Sequence, residues 1–423
     1  MLALRLLFFI AGGALASFYP FLSALLAGRG FSPVEIGAAT ALTSLAYTIA
    51  APTWGHLGDV VLGRARALRI AAVGATVLFL GLLIPDVGQP LTVAILIGFF
   101  AFEAALGPLS DALAVNALGD RQRDYPRIRV LGSASFAIAV IVFGFVYDRT
   151  GFGLVPIIFG ISMLGVALTA GRVPDVERLR MPVRQGRGGV RGRMGGASFR
   201  LALAVQPRLV PLMIGFGLIH VGILAAFTYL SLRILDLGGA PSHIALGSGM
   251  AATAEIPAMA AIGLVVARIG LRWLVVGGAL VYGAALVAWA LLDSLPAIIA
   301  VRGVTGVAFA AIAIGAVMAI GRLLPRGLQA TGQGMFATVA FGIAAVIASS
   351  LGGIVYSVGG HVPLFVGAAG AVALGVAVIW RALPARHEEI DVPELPGGAD
   401  VAGVEGEAAV ADTAAAVPGV APA

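Results

Sequence analysis

The sequence contains no cysteine, and all 27 of its lysine-plus-arginine positions are arginine. The absence of cysteine excludes disulfides, thiolate nucleophiles and cysteine-ligated metal sites. The absence of lysine excludes the phosphate-binding P-loop and any Schiff-base enzyme. ATP hydrolysis by a P-loop and lysine-based covalent catalysis are therefore ruled out.

Charge is also scarce. Only 11% of the 423 residues are charged, whereas 60% are apolar. Soluble domains carry about 25% charged residues, and a soluble fold with so little charge does not cover its own surface. The composition therefore predicts an integral membrane protein, and the 59 glycines suit helices that approach closely within a bilayer.

Twelve apolar runs follow one another, each long enough to cross a membrane and none with the alternation of a strand. They cover residues 2–26, 33–55, 67–84, 91–117, 129–147, 154–171, 208–235, 243–267, 272–292, 295–320, 329–356 and 361–381. Six runs precede a polar segment and six follow it. We predict an all-α integral membrane protein with 12 transmembrane helices arranged as two six-helix bundles.

The same pattern divides the chain into four parts. We predict an N-terminal bundle over residues 1–171, an Arg/Gly-rich linker over 172–207, a C-terminal bundle over 208–382 and a disordered acidic tail over 383–423. A signal peptide cleaved near Ala14-Leu-Ala16 is an alternative for the first run, although cleavage would break the six-plus-six symmetry.

Arginine placement predicts the orientation. The linker and the even-numbered loops hold most of the arginines, whereas the odd-numbered loops hold only Arg29 and Arg149. By the positive-inside rule, both termini are predicted to be cytoplasmic in a cell (inner or plasma) membrane. The same rule explains the net charge of +6, so we expect no nucleic-acid partner.

Several ionisable residues lie within or at the ends of these runs, where a charge at the bilayer centre costs about 2.5–3.5 kcal/mol. They are Glu103, Asp111, Arg129, His220, Glu255 and Arg302. Such residues face a watery cavity or pair with one another between helices. The set therefore predicts a solute or ion pathway, with structural ion pairs as the alternative.

Glu255 and His220 each allow two interpretations. Glu255 lies two residues before Pro257, and a carboxylate beside a helix break suits a proton or substrate site, although a buried structural acid has the same pattern. His220 has a side chain suited to proton handling, or it is a hydrogen-bonded packing residue.

A loop motif connects this architecture to a family. Gly55-His-Leu-Gly-Asp59-Val-Val-Leu-Gly63-Arg64-Ala-Arg66 resembles the loop between helices two and three of the major facilitator superfamily. The resemblance implies close helix packing at the glycines and a cytoplasmic gating network of the aspartate and arginines. This sequence has one extra residue between Asp59 and Gly63.

Two further segments indicate a particular branch of this superfamily. Pro108-Leu-Ser-Asp111 and Asp124-Tyr-Pro-Arg127-Ile-Arg129-Val-Leu-Gly132-Ser are similar to the branch that contains phenylpropionate permeases, nucleoside–proton symporters and lactose permeases. A short hairpin brings the two segments together. The planar Arg129 guanidinium can donate two parallel hydrogen bonds to the Asp111 carboxylate. A solute hydroxyl or carboxylate would bind between them.

The resemblance implies further site residues. Tyr19 and Gln333 would shape the pocket together with His220, which is a candidate because it is ionisable within an apolar run, and Glu255 falls where the branch has its helix-eight glutamate. Lactose permeases carry a histidine and a glutamate in helix ten for proton transfer, but here that helix holds neither. Glu255 is therefore the predicted proton carrier, with Asp111 or Glu103 as the next candidate.

These observations predict a secondary active transporter that moves a small organic solute by alternating access, in proton-coupled uptake (symport). A proton-driven drug efflux pump of the same fold and a non-transporting membrane sensor or scaffold remain alternatives. We expect no enzyme activity, no cofactor and no metal. The expected partners are the solute, protons and the lipid bilayer, and the expected state is a monomer.

Overall fold

A computed structural model describes residues 1–174 and 199–383, and nearly all of these residues are helical. Most of the predicted linker (175–198) and the predicted tail from residue 384 onward lie outside the described residues. The long helices are α1 Leu2–Gly28, α2 Pro33–Leu62, α3 Arg64–Leu83, α4 Gln89–Leu118, α5 Tyr125–Thr150, α6 Val155–Ala170, α7 Leu209–Asp236, α8 Pro241–Ile269, α9 Leu271–Leu291, α10 Leu295–Leu323, α11 Gln329–Gly359 and α12 His361–Ala382.

Eleven helical segments within the described residues are long and apolar enough to cross a membrane. The fifth, Arg127–Ala170, has 44 residues, about twice the length that a bilayer requires. It contains both α5 and α6, separated by the turn Gly151–Leu154. Numbering the helices on either side of this turn separately gives the twelve used here.

Local sequence signals explain several helix ends. Ser32 and Glu35 form a capping box at the start of α2: the Ser32 hydroxyl accepts the Glu35 backbone N–H, and the Glu35 carboxylate accepts that of Ser32. Gly63 and Gly270 separate α2 from α3 and α8 from α9, with φ of 82° and 84°. A side chain rarely adopts that backbone conformation, so glycine is required there.

Three helices, α1, α4 and α11, are interrupted inside the membrane-spanning range of the described residues. α1 changes to a 3₁₀ turn at Tyr19–Phe21 around Pro20, and α4 has a non-helical step between Glu103 and Leu106. α11 contains a π-helical turn at Thr338–Ile343, whereas the π-helical turn of α2 at Leu57–Leu62 forms its arginine-rich end. Such irregular backbone at membrane depth is typical of helices that line a cavity or a functional site.

The long helices named above pack as two groups, α1–α6 and α7–α12. In the first group α1 packs on α5 and α6, while α4 contacts α2 and α3. Phe18, Phe79, Phe99 and Phe159 form an aromatic core there, with ring centres 4.3–5.6 Å apart. In the second group α7 packs on α11 and α12, and α10 contacts α8 and α9.

The two groups meet along α2–α11 and α5–α8. A Cβ added at Gly37 would lie 2.2 Å from the Ser349 carbonyl oxygen, and one at Gly144 would lie 2.2 Å from the Ala245 Cβ. Both contacts lie toward the ends of the helices away from most arginines, which we call the arginine-poor side. The arginine-rich side carries the last turns of α2, α4, α6, α8, α10 and α12.

Candidate functional site

A cavity of about 460 Å³ lies between the two groups of helices. This volume falls within the range of about 300–1,000 Å³ typical of small-molecule sites. Its aromatic lining consists of Tyr19, Tyr47, Phe100, Phe136, Phe227, Tyr282, Phe309 and Phe341. Its hydroxyl groups belong to Ser23, Thr40, Thr43, Ser44, Thr228, Ser248, Thr305 and Ser349, besides those of the tyrosines.

Two charged side chains line this cavity, Glu255 of α8 and Arg302 of α10. Glu255 is half-buried, and it makes no hydrogen bond or ion pair with any residue that the structure describes. Arg302 is also half-buried and has no carboxylate of the described residues within ion-pair distance. The cavity therefore presents a carboxyl group and a guanidinium that are both available to a ligand.

Neighbouring aromatic residues hold the Arg302 side chain. Its guanidinium carbon lies 5.9 Å from the ring centre of Trp289, and the Tyr282 hydroxyl is within hydrogen-bonding reach. Trp289 is fully buried and donates its indole N–H to the Ile298 carbonyl at 3.2 Å. Because this ring is fixed, the cation–π contact restrains the guanidinium at the edge of the cavity.

Tyr19 lies in the cavity wall, at the break in α1. Its ring centre is 6.0 Å from those of Phe100 in α4 and Phe227 in α7, so it contacts both groups of helices. Glu103 lies behind this wall, within electrostatic range of Tyr19 and Tyr47. It is 6% exposed, and its Oε2 has no hydrogen-bond partner among the described residues.

The structure brings Asp111 and Arg129 together, as the hairpin geometry predicts. The Arg129 Nε lies 3.3 Å from the Asp111 Oδ1, and the Tyr125 hydroxyl is within hydrogen-bonding reach of both side chains. The pair is not part of the cavity lining. Arg129 lies about 10 Å along α5 from Phe136, which does line it, toward the arginine-rich side.

His220 lies behind the cavity wall and does not line it. It is fully buried in α7, and its Nδ1 is 2.8 Å from a backbone carbonyl one turn earlier. Its ring lies between Phe336 and Phe341, at 5.4 and 5.3 Å. Because Phe341 lines the cavity, His220 contacts the solute space only through that ring.

Gln333 also lies outside the cavity lining. Its Nε2 donates to the Val317 carbonyl at 3.1 Å, and this bond joins α11 to α10 on the arginine-rich side. The described contacts therefore give Gln333 a bracing position between two helices, away from Tyr19 and Glu255. Its assignment to the pocket stays a prediction.

The predicted gating motif lies at the turn between α2 and α3, on the arginine-rich side. The Arg64 Nε donates to the Asp59 Oδ1 at 2.8 Å, and Gly63 supplies the positive φ between the helices. The π-helical turn Leu57–Leu62 accommodates the extra residue between Asp59 and Gly63. The insertion therefore leaves an ion pair between the aspartate and the first arginine.

The remaining two motif residues, Gly55 and Arg66, make few contacts. Arg66 is exposed, and a Cβ added at Gly55 would have no atom within 4 Å. The close approach of helices occurs instead at Gly58, where an added Cβ would lie 2.6 Å from the Leu109 Cδ2. The packing role that the motif implies for Gly55 is therefore met by its neighbour.

Sequence reasoning missed the position of Arg302. The only signal was its charge within the tenth apolar run, and this signal did not tell a cavity residue from an ion-pair partner. Tyr282 and Phe227 gave no signal, because an aromatic residue inside an apolar run is usually a packing residue. Their place in the wall depends on how α7, α9 and α10 are rotated.

Comparison with known proteins decides the family. The chain matches the family model "MFS_1 like family" over residues 1–366, which include every helix from α1 to α11. The chain belongs to the major facilitator superfamily. This membership confirms the predicted superfamily and its all-helical membrane fold, and it identifies the chain as a multi-pass membrane transporter, not an enzyme.

Two relatives of this superfamily member have similar sequences. A maltose permease of Geobacillus stearothermophilus is 30% identical over 349 residues, which cover 82% of this chain and 84% of the relative. An uncharacterized transporter of Bacillus subtilis (strain 168), YwbF, is 26% identical over 327 residues, which cover 76% and 78%.

Two solved structures show the same fold. A crystal structure of a point mutant of the nucleoside transporter NupG aligns with a TM-score of 0.77 at 17% identity and covers 90% of this chain and 99% of that one. A D-xylose-proton symporter aligns with a TM-score of 0.67 at 16% identity, over 93% and 98%. At these identities the likeness concerns the fold alone.

Proposed function

We propose that this transporter moves a small polyhydroxylated solute, of monosaccharide to disaccharide size, together with protons. The observation that carries the proposal is the cavity in which Glu255 and Arg302 lie among aromatic rings and hydroxyl groups without an ion pair to any described residue. Aromatic rings offer apolar faces, while hydroxyls and a guanidinium supply donors and acceptors. Similarity to a maltose permease and to the fold of a D-xylose-proton symporter supports this solute class.

The solute would reach the cavity by alternating access, in which the two groups of helices rock about it. Along α2–α11 and α5–α8 the groups are in close contact on the arginine-poor side, at Gly37 and Gly144. In uptake these contacts open first, the solute binds, and the arginine-rich side then opens to release it. The positive-inside rule supports a cytoplasmic position for the arginine-rich side.

Glu255 is the proposed proton carrier. A carboxylate without a partner in the cavity is costly within the membrane, and taking up a proton removes that cost before the helices reorient. Glu103 is the second candidate, because it is buried with an unpartnered oxygen behind Tyr19.

Asp111 and Arg129 are proposed to meet the solute on the arginine-rich part of its path. They lie between the cavity and the arginine-rich ends of α4 and α5, and their side chains are 39% and 51% exposed. A solute hydroxyl can replace each hydrogen bond of the pair as it passes. Direct binding in the central cavity is thus assigned to Arg302, with Tyr19 and the hydroxyl groups.

Ligand-induced thermal stabilisation of the purified protein tests the solute class, since binding raises apparent stability by mass action. Monosaccharides, disaccharides, nucleosides and apolar drugs would each be added to wild type, Arg302→Gln and Arg129→Gln. We expect stabilisation by a sugar, weakened most in Arg302→Gln. Stabilisation by apolar drugs alone, independent of Arg302, would instead support the efflux alternative, and absence of both binding and flux would support the sensor alternative.

The orientation can be tested with single cysteines, because the chain has none of its own. Arg66 and Arg149 lie at exposed positions on opposite sides. In intact cells, a membrane-impermeant thiol reagent is expected to label Arg149→Cys and not Arg66→Cys. The reverse pattern would overturn the proposed cytoplasmic position of the termini.

A further inference from the structure

Two tryptophans stand together on the outer surface of the second group of helices, at the arginine-rich side. Trp273 in the first turn of α9 and Trp380 in the last turn of α12 are 55% and 39% exposed, with ring centres 4.8 Å apart in an edge-to-face arrangement. The indole N–H groups of Trp54 and Trp289 donate to backbone carbonyls. Those of Trp273 and Trp380 have no partner within residues 1–174 and 199–383.

Arg272 is fixed beside this pair. Its Nε donates to the Leu383 carbonyl at 2.6 Å, and its guanidinium carbon lies 5.1 Å from the Trp380 ring centre. Its two terminal nitrogens have no partner in the part of the chain that the structure describes. Arg381, the residue after Trp380, is exposed. One cation thus contacts an aromatic pair of the kind found at membrane–water interfaces, and a second, exposed cation follows Trp380 in the sequence.

These two cations have no counter-ion in the helices that carry them. The sequences of α9 and α12 contain no aspartate or glutamate. Neither Arg272 nor Arg381 forms an ion pair with any described residue. A basic site between helices on the arginine-rich side lies at the level of lipid headgroups, where anionic phospholipids bind.

The surface below the tryptophans has room for a lipid chain. Gly277 lies one turn after Trp273, and a Cβ added there would meet no atom within 4 Å. Ala377 and Ala373 lie about one and two turns before Trp380, and both are exposed. Helical spacing places these small residues on the same faces as the tryptophans.

We propose that Arg272 and Arg381 bind the phosphate of an anionic phospholipid whose glycerol region packs on Trp273 and Trp380. The acyl chains lie along the small residues of α9 and α12. The site is separate from the transport cavity and does not rest on the proposed solute. The chain's own acidic stretch, Glu388, Glu389, Asp391 and Glu394, lies outside the described residues, and the experiment below separates it from lipid.

The test is a titration of the purified full-length protein, in neutral detergent, with phosphatidylglycerol or phosphatidylcholine, followed by thermal unfolding. We expect a preference for phosphatidylglycerol, and an affinity about fivefold lower for each arginine replaced in Arg272→Gln and Arg381→Gln. Arg322→Gln is the matched control, since Arg322 is exposed in the last turn of α10 on the same side, with no aromatic contact among the described residues. Equal responses to the two lipids, or a double variant that keeps the preference, would overturn the proposal.

Two further arms identify the occupant. Glycerol phosphate without acyl chains should give no shift, whereas a shift equal to that of the lipid would assign the site to a free phosphate and overturn the lipid. Replacing the four acids with glutamine should leave the affinity for phosphatidylglycerol unchanged. If wild type showed no lipid preference and this variant gained one, the acidic stretch would be the occupant.

A spectroscopic measurement avoids dependence on the arginine variants. Brominated phosphatidylglycerol quenches tryptophan fluorescence on contact, and we expect this quenching to fall in the Trp273→Phe/Trp380→Phe variant. Quenching that is equal for brominated phosphatidylcholine, or unchanged in the variant, would contradict the site.

Discussion

Two acid–arginine sets occupy neighbouring helices in the two halves of the molecule, and they differ in pairing and surroundings. Asp111 and Arg129, on α4 and α5, are in ion-pair contact at 3.3 Å and are more than one-third exposed. Glu255 and Arg302, on α8 and α10, face the cavity and form no ion pair with a described residue.

Asp111 and Arg129 neutralise one another in an ion pair, whereas Glu255 and Arg302 are left for a ligand to neutralise. Exposed ion pairs contribute about 0.2–1 kcal/mol to stability. Unpaired charges within the membrane are costly, and they persist where they bind or carry something. We call Glu255 and Arg302 the cavity set, and Asp111 and Arg129 the paired set. We therefore expect solute binding and proton coupling to depend more on the cavity set than on the paired set.

Replacing Arg302 with glutamine tests this difference most severely. Loss of hydrogen bonds to a charged group costs about 1.5–3 kcal/mol, which corresponds to a rise in the solute Kd of roughly ten- to a hundredfold. Isothermal titration or thermal stabilisation with the identified solute would measure it. A Kd rise in Arg129→Gln as large as that in Arg302→Gln would remove the distinction between the two sets.

Glu255→Gln tests whether the cavity set contributes to proton coupling separately from solute binding. With one proton per solute, a gradient of one pH unit supports about tenfold accumulation in proteoliposomes. We expect the variant to lose this accumulation and to keep solute exchange at equal pH, because the amide cannot carry a proton. Glu103→Gln is the control, and accumulation that persists in Glu255→Gln but not in Glu103→Gln would transfer the role to Glu103.

A double-mutant cycle of Asp111→Asn and Arg129→Gln measures the paired set directly. We expect a coupling free energy of about 0.2–1 kcal/mol in unfolding, since both side chains are partly exposed and screened. Chemical or thermal unfolding in detergent gives the value. A coupling of several kcal/mol would show that the pair is desolvated and would place it with the cavity set.

Tyr125→Phe is expected to have the smallest effect. The Tyr125 hydroxyl is within hydrogen-bonding reach of Asp111 and Arg129 at the arginine-rich end of α5. Because the side chains of Asp111 and Arg129 are partly exposed, water can replace the hydroxyl, and we expect transport within about twofold of wild type. Uptake rates would test this, and a larger loss would mean that Tyr125 orients the pair for the solute.

Much of the fold was predictable, because run length and hydropathy set where helices cross a membrane. The run over 243–267 corresponds to α8 at Pro241–Ile269, and that over 361–381 to α12 at His361–Ala382. The breaks in α4 and α11 were not predicted, since the sequence of neither break contains a proline. The contact of Asp111 with Arg129 was predictable because a short hairpin joins their helices.

The remaining site residues were harder to predict. His220 was a candidate as an ionisable residue in an apolar run and Gln333 by its resemblance, and the structure places the first behind Phe341 and the second against α10. Tyr19 lines the cavity because the 3₁₀ turn redirects α1 at Pro20. Position along a helix indicates depth in the membrane, whereas facing a cavity depends on the rotation of that helix.

The sequence by itself determined the class of protein, the approximate helices and the asymmetry of charge, because transfer free energy depends on residue type and run length. Only the tertiary structure decided which charges share the cavity. Helices that are apolar on all sides carry no pattern that marks an inward face. The position of Arg302 depends on α8 passing close at Gly247 and on the fixed ring of Trp289, and both arise from packing between helices.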